Sequence, residues 1–443
     1  MDALTLGIDF GTTNSSLARA SASGAVDLAQ FPSTTGLVES YRSLLYLEQV
    51  KEKGVTRIKS WSGPAAIDEY LASETKGRLV QSLKSYLSSR GLKSTEVFGR
   101  RMTLETLIAR ILRDLREKVE AQFGGKVETA VVGRPVRFVG ADHDEDNHFA
   151  EERLRHAFQE AGYPDVHFEL EPVAAAQYYQ STLDHDELIL IGDFGGGTSD
   201  FSLLRVGPEI RRRGRTPGDL LGNSGVGIAG DAFDAKLVRH LVSPALGRGS
   251  TARALKKVLP AVPNWVYAKL EHWHHLSFLR TNSTMNLLNS SCKAAFEPDK
   301  IEALIHLIRE DLGYELHRAV QKTKCALSVD PVANFYFSDG AIEIEAHVER
   351  ADFEEWIAEE LARIESCVDS LIETSGVSCR DVDMVFLTGG SSFVPAVRRI
   401  FESRFGAQKI SAGNEFTSVA RGLALTAIPG PPNLDVWQPF EPA

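Results

Sequence analysis

The 443-residue sequence has few cysteines and no long apolar run. Its four cysteines, Cys292, Cys325, Cys367 and Cys379, form no Cys-x-x-Cys pair, so neither a zinc ribbon nor a dithiol redox motif is indicated. Unpaired thiols are typical of a reducing cytoplasm, which is the location we expect. The N-terminus lacks the basic region and apolar segment of a signal peptide. No stretch of about 18 apolar residues is available for a membrane span.

The sequence also lacks an excess of basic residues. It contains 49 Lys and Arg against 60 Asp and Glu, which gives a formal net charge of -11. Because proteins that bind nucleic acid usually present a basic surface, we expect no nucleic-acid partner. The one basic run, RRRGR at 211–215, is interpreted as a solvated hairpin turn. An anionic ligand must therefore be held locally, by oriented amides, a few lysines or a metal ion.

Two runs give only weak signals for a protein-ligated metal. His272 and His275 share a helix face in HWHH, but no cysteine or second histidine pair is placed to complete a zinc site. The run DHDED at 142–146, followed by His148, is interpreted as a solvated acidic loop.

Two glycine-rich turns stand out between apolar, strand-like segments. They are GIDFGTTNSSL at 7–17 and IGDFGGGTSDFSL at 191–203. Glycine lets the backbone come close to a ligand, and successive amides facing one concavity bind anions. The amides expected to do so are those of Gly11, Thr12, Thr13, Gly195, Gly196 and Gly197.

Aspartates flank both turns. Asp9 and Asp193 end the first strand of each hairpin, and Asp200 follows the second turn. A carboxylate beside a phosphate is repulsive unless a cation lies between them, and Mg²⁺ takes few carboxylates while phosphates and waters complete its shell. The Walker A motif and a strand-to-helix GxGxxG turn are both absent from the sequence. The pattern therefore predicts two facing hairpins that hold a polyphosphate with magnesium.

The order strand, strand, helix, strand, helix occurs twice, from residue 4 and from residue 188. Helices are predicted by apolar spacing or by position at 103–122, 151–162, 230–242, 301–328, 394–406 and 417–428. Pro172 suits the first turn of a further helix. The fold class expected is α/β with two related halves.

Six segments occur in one order: GIDFGTTNSSL, LEPVAAAQYY, GDFGGGTSDFSL, GIAGDAFDAKLV, LTGGSSFVPAVRRIF and SVARGLAL. Together, over residues 4–425, they resemble the nucleotide-binding domain of the DnaK-type heat shock protein 70 family, within the actin-like ATPase superfamily. The resemblance implies two RNase H-like lobes, each a mixed sheet with flanking helices. Lobe I is expected at 1–185 and lobe II at 186–425, with an inserted helical subdomain at about 243–330. A Pro-rich tail follows at 426–443, and the chain looks like short bacterial members without the peptide-binding domain.

The resemblance implies that ATP and magnesium lie between the lobes. Asp9 and Asp193 match the family's magnesium-site carboxylates. Glu171 and Asp200 match acidic residues near the attacking water, and Lys84 is the candidate lysine beside the γ-phosphate. The implied catalytic set is Lys84, Glu171, Asp193, Thr198 and Asp200. The implied nucleotide contacts also include Gly11, Thr12, Thr13, Asn14, Gly195, Gly196, Gly197, Gly230, Gly389, Gly390 and Ser391.

The base end departs from the family pattern. The family's adenosine-binding helix usually reads ERAKRxLS, whereas residues 321–328 read QKTKCALS. Lys324 and Ser328 are kept, but Gln321 replaces a glutamate and Cys325 an arginine. Phe393 stands where an arginine near the adenine is usual. These changes imply weakened or altered adenine binding and leave the choice of base open.

The function expected is that of a chaperone-like protein that binds ATP and hydrolyses it slowly. A partner protein or co-chaperone would receive the output, and no membrane partner is expected. A nucleotide-responsive binding module with little hydrolysis and a small-molecule kinase of the same superfamily remain alternatives. A filament-forming relative of actin is a third.

Overall fold

The computed structural model describes residues 2–21, 23–33, 36–52, 55–73, 77–181, 183–254, 257–272, 276–340, 342–411 and 417–427. His275 of the HWHH run and the tail from residue 428 lie outside the described residues. Within these ranges, no helix is long and apolar enough to cross a membrane.

The first half of the chain builds one large sheet with smaller sheets beside it. Its strands are β1 (Asp2–Phe10), β2 (Asn14–Ala20), β3 (Val26–Leu28), β4 (Phe31–Ser33), β5 (Gly36–Val38), β6 (Tyr41–Arg42), β7 (Leu44–Glu52), β8 (Val55–Ser62), β9 (Arg78–Gln81), β10 (Ser94–Val97), β11 (Arg100–Thr103), β12 (Gly125–Arg134) and β13 (Asp165–Leu170). Its helices are α1 (Pro64–Ala72), α2 (Leu104–Phe123), α3 (Asp144–Glu160) and α4 (Glu171–Gln180).

The second half repeats this plan and adds more helices. Its strands are β14 (Glu187–Phe194), β15 (Ser199–Val206), β16 (Leu220–Val226), β17 (Thr251–Ala254), β18 (Lys257–Pro260), β19 (Val332–Asp339), β20 (Ile342–Glu349), β21 (Met384–Thr388) and β22 (Ile410–Ser411). Its helices are α5 (Pro208–Arg213), α6 (Gly230–Leu237), α7 (Ser243–Ala245), α8 (Asn264–Leu270), α9 (Leu276–Leu279), α10 (Asn282–Ala294), α11 (Pro298–Arg309), α12 (Gly313–Val329), α13 (Arg350–Trp356), α14 (Ala358–Ser375), α15 (Pro395–Phe405) and α16 (Ser418–Thr426).

The two large sheets have the same topology. The first runs β13-β12-β1-β2-β3 and the second β16-β15-β14-β21-β22. In each, the opening hairpin is antiparallel, and its first strand pairs in parallel with a later strand, β12 or β21. Numbered along its own half of the chain, each sheet reads 3-2-1-4-5. The predicted duplicated α/β fold with mixed sheets is therefore confirmed.

Helices α4 and α16 lie between the two sheets. A separate apolar cluster joins Ala174–Ala176 and Leu423 of these helices to Ile189 and Ile191 of β14. The helix α16 packs on α4, β1 and β2, although it follows the second sheet in the chain. A Cβ added at Gly422 would lie 1.6 Å from the carbonyl oxygen of Ala174, so the two helix backbones touch where they cross. These two helices therefore join the two sheets through a close backbone contact.

Three local expectations were wrong. Helix α3 begins at Asp144 instead of residue 151, because a capping box links His143 with Asp146 and three acidic residues in the first turn favour the helix dipole. The RRRGR run is no hairpin, since α5 ends at Arg213, whose guanidinium pairs with Asp219. The helix expected at 301–328 is two helices, with Asp311 in the left-handed region between them.

Candidate functional site

The two glycine hairpins face each other. A Cβ added at Gly196 would lie 2.7 Å from Thr13 Oγ1 and 3.5 Å from the Cβ of Thr12. Gly11 is held just as tightly within its own turn, since an added Cβ would lie 2.1 Å from the carbonyl oxygen of Asn14. Real Cβ atoms do not approach a backbone oxygen so closely, so the first turn requires glycine at position 11, whereas a side chain at position 196 would displace that of Thr13. The amide-rich turns of the two sheets therefore meet at one place.

A buried ion pair lies beside the hairpins. Lys84 Nζ donates to Glu171 Oε1 at 2.6 Å, and the two side chains are only 7% and 8% exposed. Burial alone would lower the pKa of Lys84, but the charges of Glu171 and Asp9 outweigh it and raise that pKa. Lys84 therefore stays charged.

Local structure explains where both side chains of this pair point. Lys84 lies in a 3₁₀ turn, Leu83–Tyr86, that follows β9. Ser82, just before the turn, adopts a positive φ of 57°, which is uncommon outside glycine and marks a strained position. Glu171 is the first residue of α4, directly after β13, and Pro172 lies in the first helical turn as predicted. A sharp turn in one case and a helix start in the other direct the side chains inward.

Three aspartates surround the ion pair. Asp193 and Asp200 lie opposite each other on β14 and β15, and Asp9 lies near the end of β1. Thr388 Oγ1 donates to Asp193 Oδ1 at 2.6 Å, and the amide of Arg137 donates to Asp200 Oδ1 at 3.1 Å.

These carboxyl groups are electrostatically strained. Burial, followed by the charge of Glu171, raises the pKa of Asp193 to about 6 and raises the pKa values of Asp9 and Asp200 well above the ordinary range. Together with Glu171 they set four carboxyl groups against the one positive charge of Lys84. This group of side chains therefore has more acidic groups than its one positive charge can balance.

This donor chemistry fits magnesium better than a transition metal. Among the described residues, no three His, Cys, Asp or Glu side chains are grouped closely enough to hold a metal by themselves. Magnesium keeps several waters and takes only one or two carboxylates when phosphate oxygens are present. Asp9 and Asp193 suit that sparse ligation, and the uncompensated negative charge favours a divalent cation.

A second group of predicted residues meets at the start of α6. A Cβ added at Gly230 would lie 2.9 Å from Ser391 Oγ and 3.2 Å from Lys324 Nζ. Lys324 Nζ donates to the carbonyl oxygen of Gly230 at 3.2 Å and pairs with Asp234 Oδ1 at 2.7 Å. The amide of Asp231 donates to the carbonyl oxygen of Gly196 at 2.8 Å, which ties this group to the second hairpin.

The remaining residues of this group are more open. Ser328 Oγ donates to the carbonyl oxygen of Lys324 in its own helix at 3.1 Å. Cys325 is exposed, Gln321 is half-buried and the Phe393 ring is 50% exposed. Gly389, at a φ of 82°, turns the chain against β14, since an added Cβ would lie 2.0 Å from the carbonyl oxygen of Phe194. That turn carries Gly390 and Ser391 toward Gly230.

Sequence reasoning missed four residues that the structure places at this cleft. Thr388 and Asp231 are adjacent to predicted glycines, so the motifs LTGG and AGDAFD could have revealed them. Asp234 follows in the second motif. Arg42 gave no sequence signal, because only the pairing of β6 with β2 brings it beside Asn14.

Comparison with known proteins places this chain in one family. The sequence model described as Hsp70 protein matches residues 49–251 and 305–436, which is most of the chain.

Several similar proteins carry the name chaperone protein DnaK. That of Deinococcus radiodurans is 24% identical over 435 residues, which cover 96% of this chain and 59% of the relative. That of Deinococcus proteolyticus is 26% identical over 76% of this chain and 45% of its own length. That of a strain of Thermus thermophilus is 26% identical over 75% and 44%, respectively. The chain thus spans little more than half of these relatives at most.

Proposed function

Because this chain belongs to the Hsp70 protein family, we propose that it binds ATP between its two lobes and hydrolyses it slowly in a chaperone-like role. The observation that carries the proposal is the meeting of two amide-rich hairpins beside the buried Lys84–Glu171 pair. Lobe I corresponds to residues 1–185. Lobe II corresponds to 186–425 with a helical insertion at about 243–330, followed by the Pro-rich tail 426–443.

The hairpins are suited to hold the phosphates. Backbone amides of both turns, Gly11–Thr13 and Gly196–Thr198, supply an anion nest, while the amide of Gly195 already donates to the carbonyl oxygen of Thr198 at 2.9 Å. The hydroxyl groups of Thr12, Thr13 and Thr198 add donors at the same place. Lys84 supplies a buried positive charge toward the terminal phosphate, where transferred charge develops.

Asp9 and Asp193 would hold magnesium, largely through bound water. When bound, the ion supplies positive charge to the phosphate oxygens and to the surrounding carboxylates. Thr388 fixes the orientation of Asp193 through its 2.6 Å hydrogen bond.

Glu171 and Asp200 are suited to orient a water for attack. Phosphoryl transfer to water depends more on positioning and charge stabilisation than on covalent chemistry. Glu171 is fixed by Lys84, and Asp200 by the amide of Arg137, so both carboxylates are held in one orientation. Such fixed acceptors position a water within hydrogen-bond reach.

The sugar and base would lie toward α12 and the 389–393 turn. Gly230, Ser391 and Lys324 form the nearer wall, and Gln321, Cys325, Ser328 and Phe393 the outer one. A partner protein or co-chaperone would bind differently to the open and the closed arrangement of the lobes, in keeping with the name of the DnaK relatives.

Calorimetric titration with ATP, ADP and GTP, with and without magnesium, tests the binding claim. We expect magnesium-dependent binding of ATP, and no binding of any of the three would remove the proposal. Phosphate release by the wild type, Glu171→Ala and Asp200→Ala tests hydrolysis, with the exposed Glu310→Ala as the matched control. Equal background rates in all four proteins would instead favour a binding module. ATP consumption only in the presence of a small-molecule acceptor would favour a kinase.

A further inference from the structure

Lys84, Lys324 and Arg42 bring positive charge to the described part of the cleft, and the two lysines are already paired. Lys84 is bound to Glu171 at 2.6 Å and Lys324 to Asp234 at 2.7 Å. Arg42 differs, since among the described residues no carboxylate oxygen lies within 4.0 Å of its guanidinium. Its Nη1 donates a hydrogen bond to the neutral side-chain amide oxygen of Asn14, at 3.2 Å.

Arg42 is held against the first hairpin by backbone pairing. The short strand β6 pairs antiparallel with β2, and Asn14 lies opposite Arg42. The amide of the next residue, Ser43, donates to the carbonyl oxygen of Thr13 at 2.9 Å. Arg42 is therefore fixed next to the backbone contact with Thr13, whose hydroxyl group faces Gly196 of the second hairpin.

The surroundings of Arg42 are costly for an unpaired charge. Burial lowers the pKa of Arg42, while Tyr314 and Asp231 partly restore it. A half-buried guanidinium loses hydration without gaining an ion pair, which is unfavourable unless an anion binds there. Guanidinium is also the side-chain group whose planar donors match a phosphate in two parallel hydrogen bonds.

We propose that Arg42 is a phosphate-binding residue, which contacts the polyphosphate of the bound nucleotide from the lobe I side of the first hairpin. This assignment rests on the proposed nucleotide site and adds to it a cation on the side of the hairpin where β6 pairs with β2. Lys84 is ion-paired with Glu171, whereas Arg42 feels the charge of Asp231 but makes no ion pair within 4.0 Å with a carboxylate of the described residues.

The test is calorimetric binding of ATP, inorganic tripolyphosphate and adenosine to the whole chain. Arg42→Ala should weaken ATP and tripolyphosphate about 10- to 100-fold, the range expected for losing a charge-assisted hydrogen bond. Adenosine binding should not change. Arg42→Lys should recover part of the loss, because it restores the charge without the planar fork. Arg19→Ala is the matched control, since Arg19 lies on β2 and pairs with Asp27 at the surface.

The outcomes separate this inference from the proposed function. Unchanged ATP and tripolyphosphate binding by Arg42→Ala would overturn the inference while leaving the nucleotide site intact. Equal weakening of all three ligands, or a loss that Arg42→Lys does not recover at an unchanged thermal midpoint, would mean that Arg42 only supports the hairpin. If the wild type bound neither ATP nor tripolyphosphate, the proposed function itself would fail, and the inference with it.

Discussion

The two ends of the cleft are built differently. At the hairpin end, two closely packed glycine turns meet a buried Lys84–Glu171 pair and three aspartates. At the α12 end, Lys324 forms an ion pair with Asp234, and Ser328 donates a hydrogen bond within its own helix. Cys325 and Phe393 are exposed. Close packing and buried charge constrain the side chains at the hairpin end. The side chains at the α12 end are less constrained. The phosphates should therefore dominate nucleotide affinity, and the base should add little selectivity.

The largest effect is expected at Glu171. Glu171→Gln removes the carboxylate proposed to orient the attacking water, and single-turnover ATP hydrolysis should fall by about 100-fold or more. ATP binding should persist, because the hairpin amides remain. Glu310→Gln, at the surface, should hydrolyse ATP like the wild type. If Glu171→Gln hydrolysed ATP at the wild-type rate, the hairpin end would not have the catalytic role that distinguishes it from the α12 end.

The α12 end should carry an acid-sensitive contribution to stability. Burial lowers the pKa of His317 to about 4, although Asp234 opposes the shift. In the unfolded chain a histidine titrates near 6.5, so the unfolded state binds more protons between about pH 6.5 and 4, and stability falls as pH falls across that window. The loss should be on the order of 3 kcal/mol.

Urea unfolding measured from pH 7 to pH 4 tests this dependence. His317→Gln should remove this contribution, because the neutral amide does not titrate, so the stability of this variant should fall less toward pH 4 than that of the wild type. His347→Gln on the exposed face of β20 should keep the wild-type slope. Identical slopes in the wild type and His317→Gln would contradict the assignment.

The hairpin end should be intolerant of a single methyl group. Gly196→Ala places a Cβ 2.7 Å from Thr13 Oγ1, so the Thr13 side chain or the hairpin itself must shift. Overpacking of this kind costs about 1–3 kcal/mol of folding stability, and a displaced Thr13 or turn should also weaken ATP binding. Gly91→Ala is the control, since no atom lies within 4 Å of its added Cβ. Wild-type ATP affinity and stability in Gly196→Ala would contradict this prediction and show that the turn accepts the methyl group.

The smallest expected effect is a gain in ATP affinity from a substitution at the α12 end. Cys325→Arg restores a guanidinium to an exposed position of α12, and a cation–π contact with the base should tighten ATP about two- to fivefold. Lys322→Arg, also exposed on α12, should change nothing. Competition between ATP and GTP measures the selectivity. Strong discrimination against GTP by the wild type would contradict the comparison, because it would require selective contacts with the base at the α12 end.

Much of the fold could be predicted because its signals are local. The glycine turns, Pro172 at the start of α4 and the apolar spacing of α2 each depend on residues a few positions apart. The start of α3 was missed for the same reason, since acidic residues that resemble a loop also stabilise a first helical turn, where Asp146 accepts a hydrogen bond from the His143 amide. The break between α11 and α12 depends on Asp311 in a left-handed conformation, which an aspartate in the sequence does not by itself predict.

Residue order alone was enough to predict the repeated hairpin-and-strand plan, the positions of the glycine turns and the family. These could be predicted because turn chemistry and strand alternation act over short distances. Which charges are satisfied became visible only once the chain was folded. Lys84 meets Glu171 across 87 positions, Lys324 meets Asp234 from a distant helix, and Arg42 is left facing a neutral amide beside the first hairpin. Charge pairing acts through space, so these pairs could not be read from the order of the residues.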